Sequence, residues 1–180
     1  FQQKLKSKIQ HLRMMQNLKS NIDKNITLLK KRALYYLGKR EYSRLELFKK
    51  INAYAIELEL DNQNIKDTLN DLESDNWLSD QRFTEQFIFA KKGKYGAEKI
   101  RYELKNRGVN EDIINNELFK IKIESYSLAK KVWSKKFSET PKSLEERAKQ
   151  IRFLQGRGFD IELINNNRIY ELKQFMEGVN

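Results

Sequence analysis

The sequence has no cysteine, one proline (Pro141) and seven glycines among its 180 residues. The lack of cysteine excludes disulfide bonds and thiolate metal sites. Because proline and glycine interrupt helices, their scarcity favours an all-α chain. No apolar run approaches the roughly 18 residues that a membrane-spanning helix needs, and the N-terminal stretch has no hydrophobic signal core. We therefore expect a cytoplasmic helical protein that does not bind membranes.

Groups that carry catalysis are also scarce. The single histidine, His11, has no evident serine or carboxylate partner, and no Gly-x-x-x-x-Gly-Lys loop for nucleotide phosphates occurs. Four acids could be imagined around a magnesium ion, but they flank a predicted helix junction, where acids also cap helices. These acids are Asp71, Glu73, Asp75 and Asp80. The sequence therefore predicts a protein that is not an enzyme and has no cofactor and no metal site.

The net charge of +11 is concentrated near the N-terminus. Residues 1–40 contain eleven lysines and arginines against one acid, Asp23, whereas residues 41–180 contain 25 basic and 24 acidic residues. We interpret residues 1–28 as a basic N-terminal arm, either helical or disordered. Such an arm gains salt-dependent affinity for phosphate backbones, and the alternative is a solvated tail without a binding role.

Apolar residues recur at helical spacing through most of the chain, and the segments resemble each other. Residues 105–109 match 155–159 at an offset of fifty, and residues 43–51 parallel 96–104 at an offset of 53. We predict three tandem three-helix repeats, at 29–75, 76–121 and 122–167, which form an elongated, curved, right-handed helical array. A tail at 168–180 follows. An irregular helical bundle is the alternative.

Local signals support these boundaries. Ser43 and Ser143 are expected to cap the starts of helices, and Gly108 and Gly158 to adopt the left-handed conformation at helix ends.

Basic residues gather in and around the middle helices of the second and third repeats, whereas the third helices are acidic. This segregation predicts a basic face that binds a long anionic partner. The alternative is that the charges only solvate outer helix faces. The candidate partner-binding residues are Lys91, Lys92, Lys94, Lys99, Arg101, Arg107, Lys130, Lys131, Arg147, Lys149, Arg152 and Arg157.

Two other interpretations of the same region are weaker. Residues 98–118 have the layout of a helix-turn-helix, but the second helix begins with Asn110, Glu111 and Asp112, which would face phosphates with negative charge. Aromatic residues accompany the basic ones and are able to stack on unpaired bases, although their helical spacing favours packing for most of them. They are Tyr95, Tyr102, Tyr126, Trp133 and Phe153. We expect Trp133 and Ile100 to lie in the core.

Four motifs, in order and at consistent spacing, resemble those of the RecX family. They lie at residues 38–47, 77–83, 94–109 and 149–159, and the resemblance covers about residues 33–166. The segment 94–109 is the most similar, with Tyr-Gly, Ile, Glu-Leu and a closing Gly-Val. The chain departs from the pattern at Ser79, where the family has an acid, and at an extra stretch near 53–60.

The resemblance implies three three-helix repeats that bind the RecA protein, chiefly as its filament on single-stranded DNA. The bound protein would lie in the filament groove and modulate or inhibit filament growth, ATP hydrolysis and strand exchange, within homologous recombination, DNA repair and the SOS response. Non-specific binding of single- and double-stranded DNA and a monomeric chain are further expectations. The alternatives are a DNA-binding or architectural protein that acts without RecA, and a helical scaffold for acidic proteins.

Overall fold

A computed structural model describes residues 2–160 of the protein. The predicted tail 168–180 and the third helix expected at 161–167 lie outside the described residues. Every regular element within 2–160 is a helix, which confirms the prediction of an all-α chain. None of the helices in this part of the chain is both long and apolar enough to cross a membrane.

The described residues fall into two compact units, the first ending at Ser79 and the second beginning at Asp80. The first unit contains three helices, and the second contains five helices and a 3-10 turn at Lys122–Glu124. The helices are α1 (Gln2–Leu37), α2 (Arg44–Glu57), α3 (Asn62–Ser74), α4 (Asp80–Lys91), α5 (Ala97–Asn106), α6 (Glu111–Ile121), α7 (Ser125–Ser134) and α8 (Leu144–Gly156).

In the first unit, the C-terminal half of α1 packs against α2 and α3. Apolar residues from all three helices and their connections form one core. Its fully buried members include Leu29 and Ala33 of α1, Leu47 and Ile51 of α2, and Leu69 of α3. Burial of such side chains stabilises the unit by about 1.5–3 kcal/mol for each large aliphatic residue.

Helix α1 is much longer than its contribution to this core. Its 36 residues make a rod about 54 Å long at the α-helical rise per residue. The helix runs without interruption through the boundary at 28/29 that the sequence suggested between arm and first repeat. Residues 10–24 are exposed along their whole length, so α1 joins a core-forming C-terminal half to this solvent-exposed stretch.

The second unit has two apolar clusters. The first belongs to α4, α5 and α6 and is centred on Phe83, Ile100 and Ile114. The second belongs to α7 and α8 and includes Trp133 and Leu154.

The helix boundaries follow the predicted caps. The hydroxyl oxygen of Ser43 accepts a hydrogen bond from the backbone N–H of Glu46, and Ser143 caps α8 in the same way, both at 3.1 Å. Gly108 and Gly158 adopt φ angles of 76° and 82° at the ends of α5 and α8, a conformation that costs glycine nothing. The four predicted caps are confirmed.

Candidate binding surface

Helices α5 and α8 meet end to end through their backbones, and with their C-caps Arg107 and Arg157 they carry seven of the twelve predicted binding residues. The N–H of Gly96 donates a 2.8 Å hydrogen bond to the carbonyl of Arg157, and the N–H of Glu98 donates a 3.1 Å bond to the carbonyl of Gly158. Gly96 is the N-cap of α5 and offers no side-chain acceptor. The end of α8 therefore supplies the acceptors that the start of α5 lacks.

This join needs glycine on both sides. A Cβ atom on Gly96 would lie 2.2 Å from the carbonyl oxygen of Gly158. A Cβ atom on Gly158 would lie 2.4 Å from the backbone nitrogen of Lys99. Distances this short are far below van der Waals contact, so the two backbones approach as closely as they do only because neither residue has a side chain.

The join brings three of the predicted binding residues together. The guanidinium of Arg157 lies 5.1 Å from the ring centre of Phe153 and 5.8 Å from that of Tyr95. It also donates a 3.3 Å hydrogen bond to the carbonyl of Lys94. Lys99 lies against Gly158 on the other side of the join. The join therefore has Lys94, Lys99 and Arg157 close around it.

Arg101 has partners inside the protein. Its guanidinium lies 2.7 Å from the carboxylate of Glu111 and hydrogen-bonds the side chain of Asn115. Lys105 reaches the same carboxylate at 2.6 Å. The hydrogen bond from Lys105 is the largest effect on the pKa of Glu111 and lowers it; desolvation opposes it, and the hydrogen bond and charge of Arg101 add to the lowering. Arg101 therefore ties α5 to α6, and its charge is largely offset.

Three more predicted residues are also paired. Lys91 lies 3.6 Å from the carboxylate of Glu103, and Arg107 approaches the same carboxylate at 3.7 Å. The Arg107 guanidinium also lies 4.6 Å from the ring centre of Phe87. A 2.9 Å ion pair joins Lys92 to Glu124. These three cations connect neighbouring helices through ion pairs. Because each is near a carboxylate, each attracts an external anion less strongly than an unpaired cation would.

Four predicted residues remain exposed: Lys94, Lys131, Lys149 and Arg152. None of the four forms an ion pair with another residue in the described part of the chain. Lys149 and Arg152 lie three positions apart on α8 and so share one face of the helix. The other predicted residues, Lys99, Lys130 and Arg147, are half-buried. Among the predicted binding residues that the structure describes, Lys149 and Arg152 are therefore the exposed cations that share one helix face.

Some aromatic residues near the basic ones are buried and others are exposed, and their helical spacing in the sequence did not distinguish the two groups. Trp133 is 3% exposed and its indole N–H donates a 2.8 Å bond to the side-chain oxygen of Gln150, and Ile100 is 1% exposed. Both were expected in the core, and this is confirmed. Tyr102, by contrast, is 61% exposed, with the ammonium of Lys99 lying 5.5 Å from its ring centre. Phe89 and Phe119 are exposed as well.

The acids near the end of α3 are held by ion pairs. Glu73 pairs with Arg44, and Asp75 pairs with Lys30 of α1 at 3.0 Å. No cluster of three or more metal-ligating side chains occurs among the described residues. Glu73 and Asp75 therefore connect the end of α3 to α2 and α1 within the first unit.

Two family profiles match within the chain. The second three-helix domain of RecX matches residues 79–118, which hold α4 and α5 and most of α6. The third three-helix domain matches residues 123–166, which hold α7 and α8 and run past the described residues.

Curated relatives cover most of the chain. The regulatory protein RecX of Ralstonia pickettii (strain 12J) is 36% identical over 137 residues, which are 76% of this chain and 84% of the relative. The regulatory protein RecX of Herbaspirillum seropedicae is 39% identical over 131 residues, 73% of this chain and 82% of the relative.

A solved structure shows the same fold. The crystal structure of RecX from Lactobacillus salivarius aligns with a TM-score of 0.66 and 18% identity, over 86% of this chain and 98% of that chain. Two matched domains and relatives of this identity over most of their length lead to one conclusion: the chain belongs to the RecX family of regulatory proteins.

Proposed function

We propose that this protein binds RecA, chiefly as the filament on single-stranded DNA, and modulates or inhibits filament growth, ATP hydrolysis and strand exchange. The protein acts by binding in the filament groove and performs no reaction itself. Membership of the RecX family supports the partner, since family members are regulatory proteins. The surface chemistry supports the mode of binding.

The observation that carries the proposal is the exposed pair Lys149 and Arg152 on one face of α8. Cations exposed on one face of a helix accelerate the encounter with an anionic partner and orient it. A nucleoprotein filament offers phosphates, so binding through these residues would depend on salt. Lys94 and Lys131 extend the same kind of exposed positive charge.

The proposal also assigns the chain three three-helix units between the N-terminal arm and the tail. The first holds α1, α2 and α3, and the second holds α4, α5 and α6. The third begins with α7 and α8. The join between Gly96 and Arg157 supports this division, because it connects the start of α5 to the end of α8, which are the middle helices of the second and third units.

The alternative is a DNA-binding protein that acts without RecA. The exposed tyrosine beside Lys99 favours it, because an aromatic ring next to a cation is suited to an unpaired base. This alternative predicts salt-sensitive affinity for DNA and no direct binding to RecA.

The test is the DNA-dependent ATPase of RecA, measured with increasing amounts of the full chain. We expect suppression of the activity at less than one molecule per RecA subunit. The double variant Lys149→Glu/Arg152→Glu should lose most of the effect while its circular dichroism spectrum and unfolding midpoint stay close to those of the original protein.

A matched control is Lys31→Glu/Lys66→Glu, which changes net charge equally at two exposed positions of the first unit. If the control loses as much activity as the α8 variant, net charge alone accounts for the effect and the α8 assignment is wrong. If the folded original protein leaves ATPase and filament length unchanged, the RecA proposal itself is wrong. DNA binding in that case would favour the alternative.

A further inference from the structure

The N-terminal half of α1 exposes four large apolar side chains along one stripe. Leu12 and Met15 are each 54% exposed, Leu18 is 47% exposed and Ile22 is 42% exposed. Exposure of single apolar residues is ordinary, but a contiguous stripe of them on one helix marks a surface that binds something.

The stripe continues a surface that already binds helices. After Ile22 the same line of apolar residues passes through Ile26, Leu29 and Ala33. From Leu12 to Ala33 each step is three or four residues and the steps average about 3.5, the period of a helix–helix seam. Leu29 and Ala33 are fully buried against α2 and α3. The exposed part is therefore the uncovered end of an existing helix-packing interface.

The charge of this segment defines the partner. Residues 2–24 carry six lysines and arginines and a single acid, Asp23. Lys19 occupies the heptad position of Leu12, Ile26 and Ala33, so one of these cations lies within the stripe itself, next to Leu18. A second copy of the same helix would bring these like charges together, which is unfavourable in a paired helix. A helix with acidic residues beside its own apolar seam would form opposite-charge pairs instead.

Other classes of partner fit less well. A phosphate backbone would attract the lysines but would leave the apolar stripe in water. Helices that lie on membranes have a broad apolar face that combines leucine with tryptophan or phenylalanine, and residues 2–24 contain no tryptophan, phenylalanine or tyrosine. A narrow seam with basic neighbours is suited to another helix.

From these observations we infer that the stripe formed by Leu12, Met15, Leu18 and Ile22 binds an acidic amphipathic helix of a partner protein. The contact lies on a different surface from the cations of α8 and goes beyond the function proposed above. It gives the protein a second attachment point, through helix-in-groove packing of the kind in which apolar anchors recur every three or four residues.

A defined probe tests the inference. A fluorescent peptide of four heptads, with leucine at the two seam positions and glutamate at the flanking positions, is titrated with the full chain and its anisotropy is measured. We expect saturable binding with a dissociation constant in the micromolar range. A second peptide, with lysine in place of every glutamate, should not bind at the same concentrations.

Two variants locate the site. Met15→Gln/Leu18→Gln keeps good helix formers and should weaken binding of the acidic peptide at least about tenfold. Met14→Gln is the control, because Met14 is 62% exposed and its heptad position, shared with Asn21, Leu28 and Tyr35, contributes no buried residue to the core. It should bind as the original chain does.

Several results would overturn the inference. Equal binding of both peptides, or equal weakening by the control and the seam variant, would show that no acidic helix is recognised at the stripe. Concentration-dependent dimerisation that the seam variant abolishes would assign the stripe to a second copy. Seam-dependent binding to phosphatidylglycerol vesicles without peptide binding would assign it to lipid. None of these measurements involves RecA, so the outcome is separate from that of the ATPase test.

Discussion

The backbone N–H of Gly96 lies 2.8 Å from the carbonyl oxygen of Arg157, and this hydrogen bond joins the first turn of α5 to the last turn of α8. The start of a helix has several N–H groups without partners. Here a distant part of the chain satisfies two of them through main-chain carbonyls. The geometry of this join is therefore sensitive to glycine replacement.

We predict that Gly96→Ala destabilises the second unit by at least about 2 kcal/mol, because the added methyl group would collide with backbone atoms that cannot rotate away. Unfolding by urea, followed by circular dichroism, measures the change. Gly93→Ala is the control, since a Cβ atom there meets nothing within 4 Å. Equal stability of the two variants would contradict the importance of the join.

The ion pairs that Glu111 forms with Lys105 and Arg101 predict a pH dependence of stability. The pKa of Glu111 is lowered in the folded protein, so its contribution to stability is present above the ordinary pKa of glutamate and is lost as the pH falls through the lowered value. The variant Glu111→Gln should therefore be less stable than the original protein at pH 7. The difference should vanish in acid.

Asp112→Asn is a suitable comparison for this test, because Asp112 also lies in the first turn of α6 and shares the interaction with the helix dipole. Urea unfolding at several pH values should show a larger loss at neutral pH for Glu111→Gln than for Asp112→Asn. A gap that persisted unchanged below pH 3 would rule out ionisation of Glu111 as its origin.

The buried hydrogen bond between Trp133 and Gln150 gives a third prediction. Replacement of Trp133 by phenylalanine leaves the buried oxygen of Gln150 without its donor, so we expect a loss of about 1–3 kcal/mol. The same replacement at Trp77, which is 58% exposed, should change stability by less than about 0.5 kcal/mol. Similar losses in thermal unfolding for the two variants would contradict this account.

Tyr102 gives a prediction for nucleic-acid binding that rests on the proposed function. Its ring is exposed beside the ammonium of Lys99, and stacking of a base on such a ring contributes about 1–3 kcal/mol. Tyr102→Ala should weaken binding to single-stranded oligonucleotides by about fivefold or more. Tyr35→Ala removes an equally exposed ring beside Lys39 on α1 and should have little effect. Fluorescence anisotropy at fixed salt distinguishes the two.

Features that depend only on residues close by along the chain were predictable from the sequence. The caps at Ser43 and Ser143 and the left-handed glycines at 108 and 158 follow from local backbone chemistry, and the structure confirms them. The burial of Ile100 and Trp133 follows from apolar spacing along one helix.

The division of the basic residues was not predictable in the same way. Lys99 and Arg101 lie two positions apart on the same basic helix, but Arg101 meets a carboxylate and an amide from the following helix, whereas Lys99 lies beside the ring of Tyr102. That difference depends on how α5 packs against α6, which no local pattern encodes. The exposure of Tyr102 was not predictable for the same reason. Helical spacing shows which residues share a face of the helix, but it does not show whether another helix packs on that face.

The uninterrupted α1 has a mechanical consequence. Residues 2–37 contain neither glycine nor proline, so no hinge separates the exposed seam from the core residues Leu29 and Ala33. A force applied to the N-terminal end of α1 by a bound partner is therefore transmitted along the stiff helix to the core of the first unit. Insertion of one residue near position 24 would rotate the exposed stripe by about 100° relative to that unit. The unbroken helix therefore also fixes the direction in which the stripe faces.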